Sequence, residues 1–167
     1  MERLSFFGPP AKSFQRGGAH VAVYLVAVYQ QQLVAYDVDA PGVKGRFLPW
    51  TVLAFGGNPY ADASLLVDDW CQVMVSSLKL ADAIGGHRQE GSEELAIVFR
   101  AELTDPPAGD ENRQPVLLPH DEIAAIHPFP AEELRRWVAA PGDDDHPPGD
   151  GGGHIVPPQP EGPRLVF

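Results

Sequence analysis

The sequence predicts an α/β (α+β) sandwich with a mixed β-sheet. One stretch, Val21 to Tyr29, is β-branched and aromatic and apolar in both alternation phases, the pattern of a strand covered on both faces. A capped helix begins at Pro59, and further strands follow it, so helices and sheet should share one core. At 167 residues the chain suits one domain, and 44% hydrophobic residues suffice for a core.

Residues 1–17 read as a lead-in without a signal-peptide apolar region. Gln30-Gln31-Gln32 interrupts the first strand, and Leu33 to Val38 reads as a second strand in a hairpin with it. Pro41-Gly42 marks a loop, and Arg46 to Phe55 is apolar again until Gly56-Gly57. Asn58 is a good N-cap, Pro59 fits the first helical position, and Asp62 lies near the positive end of the dipole. Ala63, Leu66, Val67, Trp70, Val73 and Met74 share one face at 100° per residue, which predicts a helix from Pro59 to Val75 with Trp70 in the core.

Leu78 to Ile84 reads as a strand, Gly85-Gly86 as a turn and Glu94 to Leu103 as another strand. Thr104 to Pro119 reads as a polar, proline-containing loop. Glu122 to Phe129 is then expected as a last strand, and Glu132 to Trp137 as a short helix, acidic at its start and basic at its end. The folded domain is therefore expected over 18–138. From 139 to 167, 13 of 29 residues are Gly or Pro, so this acidic segment reads as a disordered tail dispensable for folding.

The formal net charge is −11, from 12 basic and 23 acidic residues, with no basic cluster, which argues against nucleic-acid binding. The most apolar run, Ala19 to Tyr29, falls well short of the roughly 20 residues needed to span a bilayer, so no membrane role is expected and the location reads as cytoplasmic. The lone cysteine, Cys71, permits no intrachain disulfide and reads as a buried apolar residue. The six histidines show no ligand spacing. Pro157-Pro158-Gln159-Pro160 has polyproline character but reads as linker.

Three stretches together resemble the Nudix hydrolase superfamily. Gly45-Arg46-Phe47-Leu48-Pro49 is similar to the family's strand ending in Leu-Pro, and Glu94 to Leu103 to its central strand. Asp121 to Leu134 resembles its closing sequence of acidic residue, strand, aromatic and helix. The resemblance spans about Gly18 to Trp137 and implies a Nudix-like α/β/α sandwich. It also implies pyrophosphate hydrolysis with Mg²⁺ or Mn²⁺ held by the glutamates of a box, Gly-x5-Glu-x7-Arg-Glu-U-x-Glu-Glu-x-Gly-U, where U is aliphatic.

No register of this chain keeps that box. Started at Gly57, it puts Ala63 at the first Glu, Cys71-Gln72 at Arg-Glu and Val75-Ser76 at Glu-Glu. Started at Gly56, it keeps Asp62 but places Trp70-Cys71 and Met74-Val75 over the rest. A third register lays Asp68-Asp69 over Glu-Glu and loses the glycine spacing. The divergent box leaves Asp62, Asp68 and Asp69 as candidate metal ligands. Asp62 and Asp69 are about 20° apart around a helix but about 10 Å apart along it, and Asp68 points elsewhere. Glu122 sits where the family carries an acidic residue near the metal, and is the candidate catalytic carboxylate. Glu93 and Glu94 are further carboxylates that could complete such a site. Gly56 and Gly57 are candidate ligand-binding residues, because glycine lets backbone approach a phosphate; a plain loop before the helix is the stronger reading.

Two readings of function follow. One is an atypical Nudix hydrolase acting on a nucleoside-diphosphate-linked substrate, with turnover expected to be absent or very weak. The other is a non-catalytic Nudix-fold module that binds a nucleotide-like ligand or a protein partner.

Overall fold

The structure is a computed structural model and describes residues 19–54, 56–87 and 93–140. The expected lead-in and the tail beyond residue 140 lie outside the described residues. A hairpin starts the domain. Strand β1 (Ala19–Tyr29) turns at Gln30 and Gln31 into β2 (Gln32–Ala40). Both turn residues have positive φ, 49° and 63°, the backbone of a two-residue turn whose twist matches its strands. Strand β1 also runs parallel to β6 (Glu93–Leu103), with Ala19 beside Glu93 and Val28 beside Glu102. Outside β6 lies β5 (Val75–His87), antiparallel to it.

The segment after β2 binds two strands in succession. β3 (Val43–Phe47) pairs with β2, and β4 (Trp50–Val52) pairs with β1. Buried Leu48 and Pro49 bridge them, and the Leu25 N–H donates to the Pro49 carbonyl at 2.9 Å. β7 (Arg113–Leu118) covers the other edge of β2, giving a seven-stranded mixed sheet among the described residues.

Both faces of this sheet are packed, as the two-sided apolar pattern of β1 requires. Ala22, Tyr24, Val26 and Val28 join one core with Leu134, Trp137 and Val138 of helix α2 (Ala131–Val138). Val21, Val23, Leu25 and Ala27 join the other with Ala63 and Leu66 of helix α1 (Pro59–Leu66) and with Val67 and Cys71 beyond it. The result is an α/β/α sandwich. Each fully buried Val or Leu contributes about 1.5–3 kcal/mol, so the alternating residues of β1 anchor both layers. A buried polar contact lies in the first core, where the Tyr24 hydroxyl donates to Glu94 Oε1 at 2.9 Å. No helix of the described residues is long and apolar enough to cross a membrane.

Four expectations are corrected. The first helix does not reach Val75. After Leu66 it widens into one π-helical turn, Val67–Cys71, and stops at Gln72, whose φ of 54° is left-handed. Val73 and Met74 therefore leave the helix face, and Met74 is 76% exposed. Gly85 and Gly86 do not turn; they continue β5 opposite Leu95 and Glu94. The proline-containing loop holds β7, where Pro115 is tolerated because β7 pairs, among the described residues, with β2 on one side only. Residues Glu122 to Phe129 form no strand. Their buried side chains are Ile123, Ile126 and Phe129, a spacing of three rather than the two of a strand. A 3₁₀ turn, His120–Glu122, precedes them, and the His127–Pro128 bond is cis.

Candidate ligand cleft at the end of the first helix

The helix begins as its sequence dictates. Asn58 Oδ1 accepts from the N–H groups of Tyr60 (2.9 Å) and Ala61 (3.5 Å), and Pro59 occupies the first position. The chain enters through a tight turn in which the Gly57 N–H donates to the Ala54 carbonyl at 2.8 Å. Gly56 has φ +75°, and a Cβ on Gly57 would lie 2.9 Å from the Ala54 oxygen and 3.0 Å from Leu53 Cδ1. The turn itself thus requires both glycines.

Asp62 sits in the first helical turn, and Asp68 and Asp69 sit in the π-helical turn at the opposite end. Asp69 points at a cation of the protein itself: Arg113 Nη1 lies 2.9 Å from Asp69 Oδ2. Arg113 opens β7 and is fixed from its other side by Asp110. Its Nε and Nη2 both reach Asp110 Oδ2, at 2.8 and 2.7 Å, while Asp110 Oδ1 accepts from the backbone N–H groups of Asn112 and Arg113. These donors hold the Asp110 carboxyl below the usual carboxylate range, the Arg113 side chain first among them. The Asp69 carboxylate pushes the Arg113 pKa above its ordinary value, burial opposes it, and Asp110 adds to the rise.

The guanidinium carbon lies 4.8 Å from the centre of the Trp70 ring, a cation–π contact. Trp70 is half-buried rather than core, and Tyr36 meets it edge-on at 5.3 Å with 78° between the planes. The Tyr36 hydroxyl is fully buried next to Cys71 and has no hydrogen-bond partner among the described residues. Burial pushes the Tyr36 hydroxyl far up and the Cys71 thiol up to about 11. Cys71 is thus a protonated interior thiol.

Phe47, Trp50, Trp70, Asp110, Asn112 and Arg113 surround a cleft of about 460 Å³. Aromatic walls, an amide and a guanidinium together can take a flat ring that carries an anionic group. A second cleft, about 620 Å³, opens beside Asp37, Asp39, Lys44, Arg46, Gln114 and Glu122. There Arg46 grips Asp37 through two contacts, 2.7 and 2.9 Å, and Lys44 lies 3.2 Å from Asp39.

The structure brings Asp69 to Arg113 and lines the second cleft with exposed Glu122, while Asp62 stays at the far end of the helix. Glu94 belongs to the core under α2, on the opposite face of the sheet from α1. Among the described residues, no three of His, Cys, Asp and Glu come together to hold a metal ion. Asp62, Asp68, Asp69, Glu94 and Glu122 thus do not gather into a three-ligand set of the kind a Mg²⁺ or Mn²⁺ site needs. Arg113 was missed, although Asp110 three residues before it was a usable signal for a fixed guanidinium.

No protein-family model matches this sequence, and no curated protein matches it. Solved structures do. A MutT Nudix hydrolase from Burkholderia pseudomallei is 12% identical with a TM-score of 0.57, covering 70% of this chain and 95% of that one. A MutT protein from Methanosarcina mazei Go1 is 10% identical with a TM-score of 0.59, covering 75% and 96%. An Ap4A hydrolase from C. elegans, solved as a binary complex, is 13% identical with a TM-score of 0.56, covering 72% and 96%. Strand order, mixed sheet and flanking helices, together with these likenesses, give this domain the fold of the Nudix hydrolases.

Proposed function

We propose that this domain is a non-catalytic Nudix-fold module that binds a nucleotide-like ligand in the cleft beside Trp70. The observation that carries this reading is the ion pair between Asp69 and Arg113. Gln72 has the left-handed backbone that a helix-ending glycine supplies. Counting back from it as the box's second glycine, Val67 takes the aliphatic position, and Leu66, Asp69 and Trp70 take the three glutamates of the helix. One carboxylate remains of three, and a guanidinium engages it. The aromatic walls, Asn112 and Arg113 offer a base a stacking surface and a hydrogen-bonding edge, and a phosphate a partner.

A panel of nucleoside diphosphate derivatives with and without Mg²⁺ or Mn²⁺, followed by calorimetry and product analysis, tests this. Binding without products is the expected result. Rapid metal-dependent release of a nucleoside monophosphate would overturn it.

The position of Glu122 favours a second reading, weak hydrolysis of a nucleoside-diphosphate-linked substrate. It lines the larger cleft with Lys44, Arg46 and their partners Asp39 and Asp37, three carboxylates and two cations around one space. Turnover that disappears in Glu122→Gln would establish that reading in place of the first.

A further inference from the structure

Arg113 is held unequally by its two carboxylates. Asp110 grips it by Nε and Nη2 while capping two backbone N–H groups of the same turn, and its side chain is 34% exposed. Asp69 reaches Nη1 alone from a side chain that is 67% exposed. An exposed single-contact ion pair is weak and screened, whereas a carboxylate tied into its own turn is a fixed part of the site. The Trp70 ring supports the guanidinium from a third direction. The fork is therefore oriented whether or not Asp69 holds it, and Nη1 is the donor that can be released.

We infer that Asp69 is an internal competitor for Arg113, and that the phosphate of a nucleotide displaces it to bind Nη1 without a divalent metal. This rests on the reading of the cleft as a nucleotide site, and adds its mechanism of access. Asp69 swings into solvent, the phosphate takes its place on the guanidinium, and the ring lies in the cleft walled by Phe47, Trp50 and Trp70. Asp110 stays in place as the positioning residue. The role differs in sign from that of a metal ligand, because removing Asp69 then strengthens binding.

The test is calorimetric titration of the full 167-residue chain with ADP, in EDTA and in Mg²⁺, using wild type, Asp69→Asn and Arg113→Met, with melting temperature as a fold control. ADP should bind wild type equally in both buffers. Asp69→Asn should tighten ADP about two- to five-fold, the range of an exposed ion pair converted to affinity, and leave adenosine unchanged. Arg113→Met should lose the preference for ADP over adenosine. Unchanged or weaker ADP binding by Asp69→Asn, with wild type binding, overturns the competitor alone. Dependence of binding on Mg²⁺ overturns it as well. Failure of ADP to bind either wild type or Asp69→Asn overturns both this inference and the nucleotide reading beneath it.

Discussion

Arg100 Nε donates to the carbonyl oxygen of Trp137 at 3.0 Å, so an arginine of β6 closes the last turn of α2. Its Nη2 also reaches the Val138 carbonyl, at 3.4 Å. The Trp137 carbonyl also accepts from the Ala140 N–H at 3.4 Å, and a positive charge beside these last-turn carbonyls matches the dipole. With only 13% of its side chain exposed, Arg100 ties the second helix layer to the centre of the sheet. Arg100→Met should lower the stability by about 1.5–3 kcal/mol in urea unfolding, the range for hydrogen bonds to a charged group. A loss under about 0.5 kcal/mol would show that water caps the helix equally well.

The tryptophans should separate by burial. Trp137 is 2% exposed and meets Phe129 edge-on at 5.0 Å, so Trp137→Ala should cost about 3–5 kcal/mol. Trp70 is half-buried, and Trp70→Ala should cost about 1–3 kcal/mol, because the cleft already admits water to part of the ring. Equal losses in denaturant titration would place Trp70 in the core after all.

Cys71 gives a pH signature. Burial raises its pKa to about 11, above the value of the unfolded thiol. Between roughly pH 8.5 and 11 the unfolded chain loses this proton while the folded chain keeps it, so unfolding is increasingly favoured as pH rises. Stability measured from pH 8 to 10 should fall in the wild type more steeply than in Cys71→Ala. Native Cys71 should also resist a thiol reagent at pH 8, reacting at the rate of local opening. Immediate stoichiometric labelling would contradict the burial of the thiol.

Divalent metal should not stabilise the fold. A ligand that binds only the native state raises the melting temperature in proportion to the logarithm of its concentration. With Asp69 engaged by Arg113 and no cluster of three ligands among the described residues, millimolar Mg²⁺ or Mn²⁺ should leave the melting temperature unchanged. A saturable rise that Asp69→Asn removes would locate a metal at this helix.

Much of the architecture was legible because it rests on local patterns. The unbroken apolar run of β1 announced two covered faces, and Asn58-Pro59 announced a helix start that the cap bonds bear out. The helix end was not legible, because the 100° period has no means of registering a π-helical turn or a left-handed Gln72. β7 was hidden by Pro115, whose missing N–H argues against a strand unless one knows that the strand lies at an edge. For the candidate cleft, the sequence pointed to acids on one helix. Arg113 pairs with Asp69 from 44 positions away, and such a pairing exists only after β7 has docked on β2.

The parallel union of β1 with β6 carries a cost in time. Tyr24 and Glu94 touch across it although 70 positions separate them along the chain. The β1–β2 hairpin closes through neighbours, on a microsecond scale, but the middle of the sheet must wait for the two halves of the polypeptide to meet. Until then one long edge of the most apolar strand stands open, and that edge is where two unfinished chains would join. Recovery on refolding should therefore fall steeply with protein concentration, even though the finished domain has β1 paired along both sides.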